Sequence, residues 1–140
     1  MPQITIEYSR NVESRVDIRA LVDAVHEAAR STGLFDRGNG IRTRAEPRDV
    51  YRVADGDPGN GFVAVLVRMA EGRSVEQRTR VADDVFAAVC RMLATASATT
   101  PLAISLEVQE VPDLHARNRN NLHERLTGRP KSQRGAASQS

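Results

Sequence analysis

A chain of 140 residues, 40% of them apolar, is sized for one domain with one core. No run approaches the roughly 18 apolar residues of a membrane span, and no basic stretch leads into an apolar one at the start, so a soluble cytoplasmic protein without a signal peptide is expected. The formal net charge of +2 is unevenly held: Gly128 to Ser140 carries Arg129, Lys131 and Arg134 and no acid, which leaves 17 basic against 18 acidic residues, a net of −1, in the rest. The near-neutral body lacks the basic excess that a phosphate-binding surface needs. The single cysteine, Cys90, excludes an internal disulfide and a cysteine-built zinc site.

The chain opens "MPQITIEYS", with Pro2 directly after the initiator. Ile4, Ile6 and Tyr8 alternate with Gln3, Thr5 and Glu7, as in a half-buried strand. From 17 to 32 the period becomes helical. Asp17 is the N-cap, Ile18, Leu21, Val22, Val25 and Ala29 share a face, and Gly33 supplies the stop. "GNGIRTR" then reads as a glycine-rich turn and a short strand over 41–44, and "YRVADGDPGNG" as a further short strand and a turn-rich loop. The acids of that loop read as turn formers.

The order then restarts. "FVAVLVRM", 62–69, is a nearly continuous apolar run, expected to be a strand covered on both faces. Ser74 and Gln77 make a capping box, and Val81, Val85, Val89, Met92 and Leu93 continue one helical face to about Ala96. After Pro101, Leu102, Ile104, Leu106 and Val108 alternate with Ala103, Ser105, Glu107 and Gln109. A short helix is expected over 119–126. The residues from 128 to 140 read as a disordered basic tail behind one domain over 1–127. Strand–helix–strand therefore occurs twice. The expected architecture is an α+β fold of two β-α-β units, a four-stranded sheet with two helices on one face, with short extra strands and a C-terminal helix.

Such a sheet suits two kinds of protein. A ferredoxin-like RNA binder stacks bases on sheet aromatics. This chain has five aromatics in all, and only Phe62 on its longest apolar strand, so no stacking platform is visible and no nucleic-acid partner is expected. The other reading rests on an ordered set of fragments: "MPQITIEYS", "VHEAARSTGLF", "GIRTRA", "VADGDPGNGFVAV", "EGRS", "PLAISLEVQE" and "NRNNLH". Running from Met1 to about Leu126, they resemble the 5-carboxymethyl-2-hydroxymuconate Δ-isomerase family of the tautomerase (MIF-like) superfamily.

The resemblance implies a cofactor-free isomerase of aromatic acid (homoprotocatechuate) breakdown. In it, the initiator methionine is removed and the nitrogen of Pro2 is the general base. It implies a homotrimer with sites at subunit interfaces, acting on a small di- or tricarboxylate, with neither metal nor membrane partner. Carried over by position, Arg42 in "GIRTR" and Arg73 in "GRS" hold the carboxylates and the 2-oxo oxygen. Arg44, on the strand face of Arg42, and Phe62 are further substrate-binding candidates. The residue types suit this chemistry, since a base should titrate near the working pH and arginine is the forked, always-charged partner of a carboxylate. Arginine supplies 19 of the 20 basic residues, so a solvated strand edge is the competing reading for Arg42 and Arg44. Three departures from the family pattern stand out. Ala64 replaces a frequent histidine, the "RGNGIR" turn is one residue longer, and the tail has no counterpart. They bear on the substrate more than on the reaction. A phenylpyruvate-like keto–enol tautomerase and a non-catalytic trimeric binding protein of the same fold are the alternatives. Of the remaining residues, Cys90 reads as inert core, Glu107 as an outward face, and His26 as a helical histidine without a nearby partner. His115 and His123 lack metal-ligand spacing.

Overall fold

Alternation sets the first strand. In the computed structural model, which describes residues 2–35 and 40–126, Ile4, Ile6 and Tyr8 are buried along β1 (Gln3–Ser9) while Gln3, Thr5 and Glu7 are half-buried. The other strands are β2 (Arg42–Arg48), β3 (Gly61–Ala70) and β4 (Leu102–Val111). They form one sheet in the order β2-β1-β3-β4. β1 runs parallel to β2 and antiparallel to β3, and β3 runs parallel to β4. Each parallel pair is closed by a helix, α1 (Ile18–Ser31) or α2 (Val75–Met92), so two β-α-β units meet along the β1/β3 seam.

Both helices begin at the caps the sequence specifies. The Asp17 side chain accepts the Ala20 amide at 3.1 Å. Ser74 and Gln77 satisfy each other's backbone amides at 3.1 and 2.9 Å. Leu21, Val25 and Ala29 of α1 and Val81, Val85 and Val89 of α2 bury their stripes in one core with Ile4, Ile6, Val63, Val65 and Val67. The register puts Ile6 opposite Val65 and Ile4 opposite Val67, so these sheet residues share one face. Both helices cover that face.

Several expectations need correction. β3 is covered on one face only. Val63, Val65, Val67 and Met69 are buried, while Phe62, Ala64 and Leu66 are half-buried and Arg68 is exposed. Among the described residues no helix packs on the second face. The expected short strand around Tyr51 to Val53 is loop. There the Gly56 amide and the Asn60 side chain both bond the Val53 carbonyl, and Ala54 and Gly56 take left-handed φ values of 53° and 86°, so the segment turns instead of pairing. β2 runs on to Arg48, beyond the expected 44, because every residue from Arg42 to Arg48 has a partner on β1. The second helix breaks at Leu93, where ψ rises to 5°, and resumes as α3 (Ala94–Thr99). Leu93 itself is buried, so the apolar face continues across the break. The last helix, α4, is confined to Leu122–Leu126. Cys90 is half-buried, not core. Met1, residues 36–39 of the glycine-rich turn and the expected tail over 128–140 lie outside the described residues. No helix among the described residues is long and apolar enough to cross a membrane.

Tyr8 illustrates how firmly β1 is held. Its hydroxyl donates to the Glu13 carboxylate at 2.7 Å. Burial, and then this bond, push the phenol from its ordinary value of 10.0 up to about 12. The folded chain favours the neutral phenol, so this contribution to stability is fully present below pH 10 and is lost as pH rises towards 12. Denaturant midpoints measured across that window should fall with pH in the wild type and more gently in Tyr8→Phe. An identical pH slope in both proteins would show that Tyr8 is not the group responsible.

Candidate active site

The topology gathers one end of every strand. β1 and β2 begin where β3 and β4 finish, because both parallel pairs meet across the antiparallel seam. Pro2 stands at this end, buried, immediately before β1. Having no N–H, proline forfeits no ladder bond at a strand's first position, and its carbonyl accepts the Arg42 amide at 3.2 Å. The next residue, Gln3, lies between Arg42 on β2 and Arg68 on β3 in the register. Adjacent strands lie about 4.8 Å apart, so the two arginines flank Gln3 on the sheet face that the helices leave open.

A cavity of about 390 Å³ occupies this end, within the usual range for small-molecule sites. Gln3, Arg42 and Arg68 form its floor. The segment after β4 folds back to form its wall with Ala116, Arg117, Asn118 and Arg119. Arg117 braces that wall by donating through Nη1 to the carbonyls of Leu114 and Ala116 at 3.1 and 2.9 Å. Among the described residues four arginines line the cavity and no carboxylate does. The rest of the sheet face differs. Arg48 pairs with Glu7 and Glu46 at 3.1 and 3.2 Å, and Arg44 lies 3.9 Å from Glu46.

The expected site residues are distributed unevenly over this frame. Arg42 lines the cavity and Pro2 adjoins it. Arg44 points to the same strand face as Arg42, as its spacing requires, and donates to Gln3 Oε1 at 3.1 Å. Arg73 follows β3 and precedes the α2 cap, as expected, but its guanidinium is engaged with the protein. It donates to the carbonyls of Ala70 and Leu34 at 3.2 and 3.0 Å. It also lies 4.8 Å over the Phe35 ring. Of these contacts only Ala70 lines the cavity. Phe62 sits at the opposite end of β3, about 20 Å away along the strand, where it makes an edge contact with Tyr51 at a centroid distance of 6.0 Å. There Arg10 bonds Asp49 and holds its carboxyl below the usual range. Ala64 faces the open sheet opposite Glu7, away from the cavity.

Sequence reasoning missed Arg68, Arg117 and Arg119. The signal for Arg68 was present: it is the one charged residue in the apolar run of β3, on the face shared with Gln3. Arg117 and Arg119 had no such marker. His26, expected to lack a partner, is 2.9 Å from Thr43 Oγ1 through Nδ1, which ties α1 to β2 beside Arg42. The acids of the loop act as turn formers: Asp55 accepts the Asp57 amide at 3.1 Å and the Asn60 side chain at 2.8 Å, which lowers its pKa, and Asp57 accepts the Gly59 amide at 2.8 Å.

Comparison with known proteins matches nearly the whole described chain to one family. The family model described as 5-carboxymethyl-2-hydroxymuconate isomerase matches residues 2–126. The 5-carboxymethyl-2-hydroxymuconate Δ-isomerase of Escherichia coli is 28% identical over 123 residues, covering 88% of this chain and 97% of its own. A crystal structure of a 5-carboxymethyl-2-hydroxymuconate isomerase from Deinococcus radiodurans R1 superposes with a TM-score of 0.83 at 28% identity, covering 89% of this chain and 93% of that one. A second crystal structure, of a 5-carboxymethyl-2-hydroxymuconate Δ-isomerase, does so with 0.81 at 24% identity, covering 94% and 96%.

The engagement of Arg73 has a measurable consequence. Replacing it with alanine leaves two carbonyls without their charged donor and removes the stacking on Phe35. A hydrogen bond to a charged group contributes about 1.5–3 kcal/mol, and half-burial with partial access to water lowers that figure. Arg73→Ala should therefore destabilise the fold by about 1–2 kcal/mol in urea unfolding at fixed protein concentration. An unchanged midpoint would show that these contacts of Arg73 do not stabilise the fold.

Proposed function

The chain belongs to the 5-carboxymethyl-2-hydroxymuconate isomerase family, and from that premise we propose that Pro2, freed by removal of Met1, is the general base and Arg42 the nearest anion clamp. The protein is an isomerase that relocates a proton within a 2-hydroxymuconate-type dienol acid. The observation that carries the assignment of residues is the buried proline beside a cavity lined, among the described residues, by arginines and no carboxylate.

The chemistry follows from the charges. While Met1 is attached, the Pro2 nitrogen is an amide and has no basicity. Once free, it is a secondary amine whose φ the ring fixes, so its lone pair is aimed by β1. The amine takes the proton of the 2-hydroxyl, the electron pair spreads over the conjugated diene, and the same amine returns the proton to a carbon of that system. No group is lost or gained. The transient dienolate is negative, and Arg42 stabilises it where charge develops. Arg73 supports the site through Ala70 and Leu34 and takes a direct part only if substrate displaces those carbonyls.

We further propose a homotrimer. The open sheet face presents Thr5, Ala64, Leu66 and Ser105 among charged neighbours, and a second copy covers the half-buried Leu66 that no helix among the described residues covers. In such an assembly Phe62, about 20 Å from Pro2 within one chain, reaches a site only from a neighbouring copy.

Two measurements test these readings. Ultraviolet absorbance of 2-hydroxymuconate and of its carboxymethyl derivative should show rapid isomerisation. Protein of confirmed N-terminal mass should lose about 100-fold in rate in Pro2→Ala, and similarly in Arg42→Gln. Equal rates in Pro2→Ala and wild type, with Met1 absent from both, would remove Pro2 from the mechanism. Sedimentation at micromolar concentration should give three times the chain mass; a monomer would sink the assembly.

A further inference from the structure

We propose that Arg68 and Arg119 form a second carboxylate clamp, which selects a dienol tricarboxylate over the corresponding dicarboxylate. The inference rests on the isomerase reading of this site and extends it to residues that the reading does not use.

The argument begins with unpaired charge. Among the described residues, every ion pair of an arginine lies elsewhere: Arg10 with Glu13 and Asp49, Arg48 with Glu7 and Glu46, Arg78 with Glu110, and others on the sheet face and the helices. Arg68 and Arg119 take part in none, and both line the cavity beside Gln3. Arg68 is fixed by the sheet, since its register opposite Gln3 follows from five further β1/β3 pairs. Arg119 is carried by the returning segment, whose course Arg117 holds through its two carbonyl bonds. One wall and one floor residue thus line the same cavity, Arg68 from β3, while Arg42 stands on the β2 side of Gln3.

Charge complementarity turns this into selectivity. A dicarboxylate reaching Arg42 and one further cation leaves guanidinium groups of the cavity without a counter-charge. A third carboxylate on the substrate supplies it. Forked arginines bind carboxylates bidentately, and a site discriminates by leaving charges unmatched when the wrong ligand binds. The substituent carboxylate is therefore held by Arg68 and Arg119, and Arg117 acts as a positioning residue for the wall.

The test compares kcat/KM for 5-carboxymethyl-2-hydroxymuconate and for 2-hydroxymuconate in wild type, Arg68→Gln, Arg119→Gln and Arg119→Lys. Both positions are exposed in the single chain, Arg68 on the face assigned above to a second copy, so circular dichroism checks that the variants fold and sedimentation that they assemble as wild type does. The ratio of the two values should fall about 10-fold in each Gln variant, chiefly through KM of the tricarboxylate, and recover in part in Arg119→Lys, which keeps the charge. A ratio within twofold of wild type in both Gln variants would overturn the clamp. Calorimetry with the unreactive acids tricarballylate and glutarate separates this proposal from the activity it rests on. Wild type should bind tricarballylate at least 10-fold more tightly than glutarate, and Arg119→Gln should lose that preference. Should turnover be absent while this preference is present, the isomerase reading fails and the clamp stands. Should turnover be present while tricarballylate is bound no better than glutarate, the clamp fails alone.

Discussion

The pairing of β1 between β2 and β3 is the constraint on which the site depends. A parallel neighbour on one side and an antiparallel one on the other bring the start of β1, the start of β2 and the end of β3 to one place. The Arg42 amide bound to the Pro2 carbonyl closes that arrangement. A register slip of one residue would turn Ile4 and Ile6 out of the core and Gln3 into it, so the apolar packing that stabilises the fold also fixes what surrounds the N-terminus. Core and site are consequences of one alternation, read from its two faces.

The second organising feature is where arginine lacks a partner. With 19 arginines in the chain, composition alone could not say which serve function. Partners sort them. On the sheet face Arg48 is matched by carboxylates and Arg44 is bonded to Gln3, on the helices Arg19, Arg30 and Arg80 pair within a turn, and Arg73 is spent on backbone carbonyls. The cations around Gln3 have no carboxylate among the lining residues of their cavity. Exposed ion pairs contribute little to stability, so the pairing elsewhere matters less for holding the fold than for keeping positive potential concentrated at one end of the sheet.

Much of this was legible in the residues. Alternation gave the strands, Asp17 and the Ser74–Gln77 box gave the helix starts, and the ordered fragments pointed to the family. What escaped had physical causes. The face of α2 continues through Met92, Leu93 and Ala96, so periodicity could not register a break in the backbone at Leu93. "FVAVLVRM" is apolar on both faces, which sequence cannot distinguish from burial on both. Arg73 was correctly placed between strand and helix. Its partner, the Leu34 carbonyl, is 39 residues away and carries no side-chain signature. Arg68, Arg117 and Arg119 come together only through the β1/β3 register and the return of the chain after β4, both long-range facts.

On the proposed mechanism the same cations play two roles that reinforce each other. A free α-amino group titrates near ~8, and a proline nitrogen is somewhat more basic than that. Burial and neighbouring guanidinium groups both disfavour its protonated form, which moves the base towards neutrality before substrate arrives. A polyanionic substrate then offsets the positive potential, so the amine's affinity for a proton rises at the moment it must accept one from the 2-hydroxyl. Cations placed only for binding, far from Pro2, would tighten the complex and leave the base unaltered. Because β1 carries the nitrogen and its two neighbouring strands carry Arg42 and Arg68, binding and basicity are coupled through one short stretch of sheet.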